Sequence, residues 1–122
     1  MINVKPEVLA ALEGNTDLLA LLGGPYIYQL KAPEGLNKYI TLFELTNFDS
    51  AWADGTAFMA EVHLQVDVWV KAASTSPIAA EVDKIMKSLG FKRTSSADLY
   101  EDDTGIYHKA LRYVTEREVE GG

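Results

Sequence analysis

The chain has 122 residues, 11 of them basic and 18 acidic, a net charge of −7, 48% hydrophobic residues and no cysteine. That size suits one domain over 1–122 with a real core, and the absence of cysteine excludes disulfides, thiol nucleophiles and thiolate metal sites. The acidity disfavours general nucleic-acid binding, no apolar run approaches the roughly 20 residues of a membrane span, and MINVKPEVLAALEG lacks the regions of a secretory signal, so a soluble, intracellularly made protein is expected.

Residues 3–13 read as a first helix, with Val4, Val8, Leu9 and Leu12 at helical spacing and Pro6 in the first turn. A second helix fits 16–22, capped by Asn15 or Thr16 and ended by Gly23-Gly24-Pro25. Tyr26–Leu30 is a short strand and 31–35 a turn. Tyr39–Thr46 is a second strand, in which Tyr39, Thr41, Phe43 and Leu45 look the more buried set. Residues 47–56 read as a polar loop carrying Phe48 and Trp52, with a turn signal at Asp54-Gly55.

The clearest pattern is strict alternation over 57–71, with Phe58, Ala60, Val62, Leu64, Val66, Val68 and Val70 on one face. A strand of that length spans about 50 Å. A globule of this size is roughly 35 Å across. The strand must therefore bend at a bulge or project as part of a long hairpin, and a projecting apolar face needs a partner.

A third helix opens with Ser76 as N-cap and Pro77 at the first helical position, is striped by Ile78, Val82, Ile85, Met86 and Leu89, and stops at Gly90. Residues 91–97 form a strand, 98–105 an acidic turn that Leu99 and Tyr100 can shorten, and 106–116 a last strand, with a frayed tail from about 117. The order is α-α-β-β-β-α-β-β. The expected class is α+β, a mainly antiparallel sheet of about five strands with helices on one face.

No catalytic signature emerges. Gly23-Gly24 precedes Pro25 and has no following Lys-Ser/Thr, so it is no phosphate loop. His63 and His108 lie on predicted strands that can be neighbours, with Glu61 and Asp67 on the face of His63. Their spacing matches no common zinc pattern. Asp98, Glu101, Asp102 and Asp103 lack the register of a calcium loop and read as a solvated turn. The more organised feature is charge. Lys84, Lys87, Lys92 and Arg93 cluster just before that acidic group. They complement the dipole of the third helix, or else the two patches meet between neighbouring subunits, as a head-to-tail ring requires.

Several stretches read in order carry a resemblance. They are VLAALEGNTDLLALLGG running into YIYQLKAPEG, then KYITLFEL and the aromatic loop with ADG, then VHLQVDVWVKAASTSPIAAEVDKIMKSLGF, and last IYHKALRY. Over nearly its whole length the chain resembles the small tail-completion proteins of long-tailed phages and prophages, also described as head–tail joining or tail-terminator proteins. The resemblance implies an α+β subunit of the virion tail or neck, made in the bacterial host cytoplasm. It implies a ring, usually six-fold, that stops growth of the tail tube and meets the head connector, whether or not the isolated subunit is monomeric. The implied partners are copies of itself, the tail tube protein and the head connector protein. No cofactor, metal, membrane or sequence-specific nucleic acid is implied.

On this reading the functional residues are contacts and not catalysts. Phe48, Trp52, Phe58 and Met59 serve docking by the second-to-third strand region. Lys87, Arg93, Glu101 and Asp102 serve neighbouring subunits. Two other classes compete. A dimeric small-molecule-binding or regulatory domain requires a pocket lined by Tyr39, Phe43 and Trp69. A hydrolase requires His63 or His108 in a cleft with a perturbed carboxylate.

Overall fold

A computed structural model of the chain describes residues 1–119. The elements are α1 (Lys5–Glu13), α2 (Thr16–Leu22), β1 (Ile27–Gln29), β2 (Lys38–Ala53), β3 (Thr56–Lys71), α3 (Ser76–Ser88), β4 (Lys92–Glu101) and β5 (Ile106–Glu118). The strands form one sheet in the order β1-β2-β3-β5-β4. Only β1 against β2 is parallel; the other three pairings are antiparallel. The α+β class and the element order are those expected.

The alternation of β3 builds the core. Ala60, Val62, Leu64, Val66, Val68 and Val70 are all at most 1% exposed. All but Ala60 join Val8 and Leu12 of α1, Leu18 and Leu22 of α2, and Val82, Ile85 and Met86 of α3 in one cluster. Each such side chain contributes about 1.5–3 kcal/mol when fully buried. Among the described residues no helix covers the opposite face of the sheet, on which Glu61, His63, Gln65 and Trp69 stand. No helix among the described residues is long and apolar enough to cross a membrane.

Four expectations need correction. First, residues 47–53 are not a loop. They continue β2 in register with β3, from Asn47 opposite Val62 to Ala53 opposite Thr56. The pairing slips between Glu44 and Thr46, between Asp49 and Ala51, and between Ala51 and Trp52. The first two put an extra residue into β2, Leu45 and Ser50, and so break the period of two by which a strand is recognised. Second, the core face of β2 is Ile40 and Leu42, both fully buried, because they stand opposite Val68 and Val66. Thr41 is buried on the other face, where its hydroxyl accepts a 3.0 Å bond from Trp69 Nε1. Third, α3 is preceded by Thr75, with Ser76 and Pro77 inside its first turn. Fourth, β4 continues through Leu99 and Tyr100 to Glu101, so the acidic turn is Asp102–Gly105. Arg117 and Glu118 still belong to β5. Residues 120–122 of the expected frayed tail lie outside the described residues.

Candidate functional site

The β2–β3 hairpin is the long element that the alternation demanded. Asp54 (φ 51°) and Gly55 (φ 77°) both adopt left-handed backbone, which makes the two-residue turn whose twist matches the strands. Near the turn the hairpin carries apolar bulk without cover. Trp52 is 58% exposed, Phe58 47% and Phe48 45%. Met59 is half-buried. Ala51 faces Met59 while Trp52 faces Ala57, so Phe58 is the extra residue of a bulge. The Phe58 carbonyl accepts a 2.8 Å bond from the Val119 amide. Phe48 lies parallel to His63, ring centroids 6.3 Å apart, and His63 Nε2 is 2.7 Å from Glu61 Oε2.

The helical layer is tied to the sheet where the exposed part begins. Asn47 Nδ2 donates to the Ile2 carbonyl at 2.7 Å. Arg117 Nη1 reaches Glu7 Oε2 at 2.6 Å, and its Nη2 donates to the Leu89 carbonyl at 2.8 Å. All four expected docking residues, Phe48, Trp52, Phe58 and Met59, therefore lie on the stretch of the hairpin beyond that tie. Exposed aromatics grouped in this way suit a docking surface, because few other side chains carry as much binding energy.

The helix-free face carries a second organised group. Tyr39, Trp69 and His108 stack in a row across β2, β3 and β5. The Tyr39–Trp69 centroids are 5.7 Å apart and the Trp69–His108 centroids 3.7 Å, with planes within 9° in both cases. Asp67 is only 4% exposed. Its Oδ1 accepts from Gln65 Nε2 at 2.8 Å, and Gln65 Oε1 accepts from Arg112 Nε at 3.0 Å. His108 Nε2 is 3.1 Å from Asp67 Oδ1 but makes no aligned hydrogen bond. His108 pairs with Trp69, whereas His63 pairs with Val114. Six positions on β3 separate the two histidines, or roughly 20 Å, so they cannot share an ion or a cleft. Among the described residues no three His, Asp or Glu side chains converge as a metal site. The rings of Tyr39 and Trp69 face each other in van der Waals stacking and fill the space a ligand between them would need.

The charged residues divide between the two ends of β4. Lys87 Nζ is 2.8 Å and Arg93 Nε 3.8 Å from Asp83, and Asp83 Oδ1 also accepts 2.9 Å from the Tyr113 hydroxyl. Burial alone would raise the Asp83 pKa. The bonds from Lys87 and Tyr113 and the charges of Arg93 and Lys87 outweigh it and hold the carboxyl below its usual 3.8. The Tyr113 phenol is pushed far up by burial and by Asp83. Lys87 and Arg93 keep 57% and 40% side-chain exposure, so each still presents charge to solvent. At the opposite end, Glu101 Oε2 accepts from Thr104 Oγ1 at 3.0 Å, and Asp102 opens the turn. About 25 Å of strand separates the two groups.

Sequence reading missed the Asp83–Tyr113 link, and it grouped Tyr39 with Trp69 only as the lining of a pocket, without the stacking or His108. The link and the row both join residues far apart in the chain. Trp69 on the polar side of the β3 alternation was the one available sign that this face holds more than solvent.

Comparison with known proteins gives three results. A search of curated proteins finds no significant sequence match. The fold is similar to a chain from the structure described as "Virion of native gene transfer agent (GTA) particle", with a TM-score of 0.68, 16% identity and 92% of each chain covered. At that identity the likeness speaks for the fold. The family model described as "Tail completion protein gp17" matches residues 6–115, which takes in both helices of the N-terminal pair, α3 and nearly all of the sheet. The chain therefore belongs to the family of tail completion protein gp17 and is a phage tail-completion protein.

Proposed function

We propose that the chain is a non-enzymatic structural subunit that forms a ring at the end of the tail tube and joins the tail to the head connector. Membership of the tail-completion family supports a structural tail protein of the virion. The observation that carries the finer reading is the β2–β3 hairpin. Its end holds Phe48, Trp52, Phe58 and Met59 beyond the helical layer, with three of the four well exposed. A small acidic protein gains nothing in solubility from such a tip, and a docking protein gains its anchors. Lys87 and Arg93 at one end of β4, with Glu101 and Asp102 at the other, supply non-identical charged surfaces of the kind a head-to-tail ring needs. The partners on this reading are neighbouring copies, the tail tube protein and the head connector protein.

The test is a double substitution, Trp52→Ala with Phe58→Ala. Both side chains are exposed, so the folded protein should retain its circular dichroism and melt within a few degrees of the parent. Electron microscopy should then find completed tails without heads. Normal particles from the double variant would defeat the docking role of the tip.

A further inference from the structure

The two sides of the sheet treat their free edges differently. On one side β1 covers only Ile40–Leu42 of β2, and the remaining edge of β2 is interrupted by two bulges, at Leu45 and Ser50. Bulges of this kind guard an edge against another strand. On the other side stands β4. All ten of its residues are exposed. Its pairing with β5 is regular from Ser95 to Glu101, the one shift lying between Arg93 and Ser95. That stretch holds no proline and no lysine, and its Asp98 is engaged by Lys109 Nζ at 3.1 Å. Over that stretch the outer amides and carbonyls are unpaired among the described residues and no bulge interrupts them, which makes a template for strand addition.

The occupant is written into the charge order of β4. The strand begins with Lys92-Arg93 and ends with Glu101, and Asp102 follows as the first residue of the turn. Laid antiparallel against a second copy about a two-fold axis through Ala97, residue numbers on opposing strands sum to 194. Ser96 then faces Asp98 and Ser95 faces Leu99, and beyond the extra residue Thr94 it is Arg93 that faces Tyr100 and Lys92 that faces Glu101. Each contact occurs twice. The bulge at Thr94 takes up one residue, and the basic end of one strand still meets the acidic end of the other. Opposite charges directly across a strand pair stabilise it and like charges oppose it, so the strand is complementary to itself in this direction. A parallel pairing would set base against base and acid against acid.

We propose that the β4 edge is a self-recognition surface: two copies of this chain pair their β4 strands antiparallel about Ala97 and extend the sheet from one subunit into the next. The contact is isologous and closed, so it makes pairs and does not by itself make a ring. It stands apart from the proposed docking of the tail, and in unassembled protein it covers the one unguarded edge of the sheet.

The test uses the full chain, which has no cysteine of its own. In the two-fold pairing Ala97 faces itself, and directly opposed residues have Cα atoms about 4.5–5.5 Å apart, within disulfide range. Oxidised Ala97→Cys should run as a covalent dimer, and Ser96→Cys, which faces Asp98, should not. Sedimentation from ~10 µM to ~1 mM protein gives the second measurement. Lys92→Glu alone, or Glu101→Lys alone, sets like charges opposite each other at both ends of the pair. Each should weaken dimerisation about tenfold. Mixed in equal amounts, the two variants regain opposite charges at every contact and should pair at close to the parental strength, which also shows that neither variant is misfolded. A parent that stays monomeric at ~1 mM, a mixture no stronger than its components, or cross-linking of the Ser96→Cys variant and not of Ala97→Cys would each overturn the proposal. A ring seen by electron microscopy while the Ala97→Cys variant stays uncross-linked would keep the tail reading and reject this one.

Discussion

The two hairpins of the sheet are built on opposite plans. The β2–β3 hairpin closes with a tight two-residue turn, slips register three times and gathers aromatic side chains near its end. The β4–β5 hairpin closes with the acidic turn Asp102–Gly105, runs nearly straight and keeps all of β4 polar or exposed. The first hides its edge and offers its tip. The second offers its edge and has a solvated tip. A sheet with only two edges thus separates two kinds of surface: irregularity protects where bulk apolar contact is made, and regularity persists where main-chain pairing is available.

The largest expected effect tests whether the first hairpin is core at its base and surface at its end. Leu64 is fully buried opposite Tyr113, so Leu64→Ala should cost about 2–5 kcal/mol in urea unfolding. A cost under about 1 kcal/mol would deny that β3 is the centre of the core. A middle effect tests how the second hairpin is held to the helices. Asp83→Ala leaves the fully buried Tyr113 hydroxyl without its partner and should cost about 1–3 kcal/mol. The same carboxyl sets an acid limb. Its folded pKa lies below the unfolded value near 3.8. Its contribution is therefore complete above that value and is lost as pH falls through the folded pKa. Thermal melts of the parent should decline on acidification below about pH 4, and Asp83→Asn should flatten that decline. A parent and variant with parallel acid limbs would detach Asp83 from the stability of β5. The smallest effect is for Leu99, 51% exposed on β4. Leu99→Ala should shift stability by no more than about 0.5 kcal/mol; a larger loss would mean that β4 is covered in the isolated subunit.

Much of the fold was legible because some residues dictate it locally. The alternation from Ala60 to Val70 fixes one face of β3, and the Ile78–Leu89 stripe with Gly90 fixes α3. What escaped was set by neighbours. The second half of β2 reads as a loop because Asn47, Asp49 and Ser50 are polar and the bulges destroy the alternation. The core face of β2 reads wrongly because Tyr39 and Phe43 are the larger side chains, yet Tyr39 spends its bulk stacking on Trp69. Of the expected site, the grouping of Phe48, Trp52, Phe58 and Met59 could be anticipated from the Asp54-Gly55 turn. The joint approach of Lys87 and Arg93 to Asp83 could not, since Asp83 belongs to α3 and Arg93 to β4.

The position of β3 has a consequence for how the protein is made. Its turn partner β2 precedes it and is joined to it by two residues, so that pairing is local and quick to form. Its other partner, β5, pairs Met59 with Glu118 and Lys71 with Ile106, across the helix α3 and a further strand. Until β5 has left the ribosome, the apolar centre of the sheet lies open along one side. Newly made chains pass through a stage in which β3 is an unpaired edge, and the interval between the two pairings is when this protein is most exposed to aggregation.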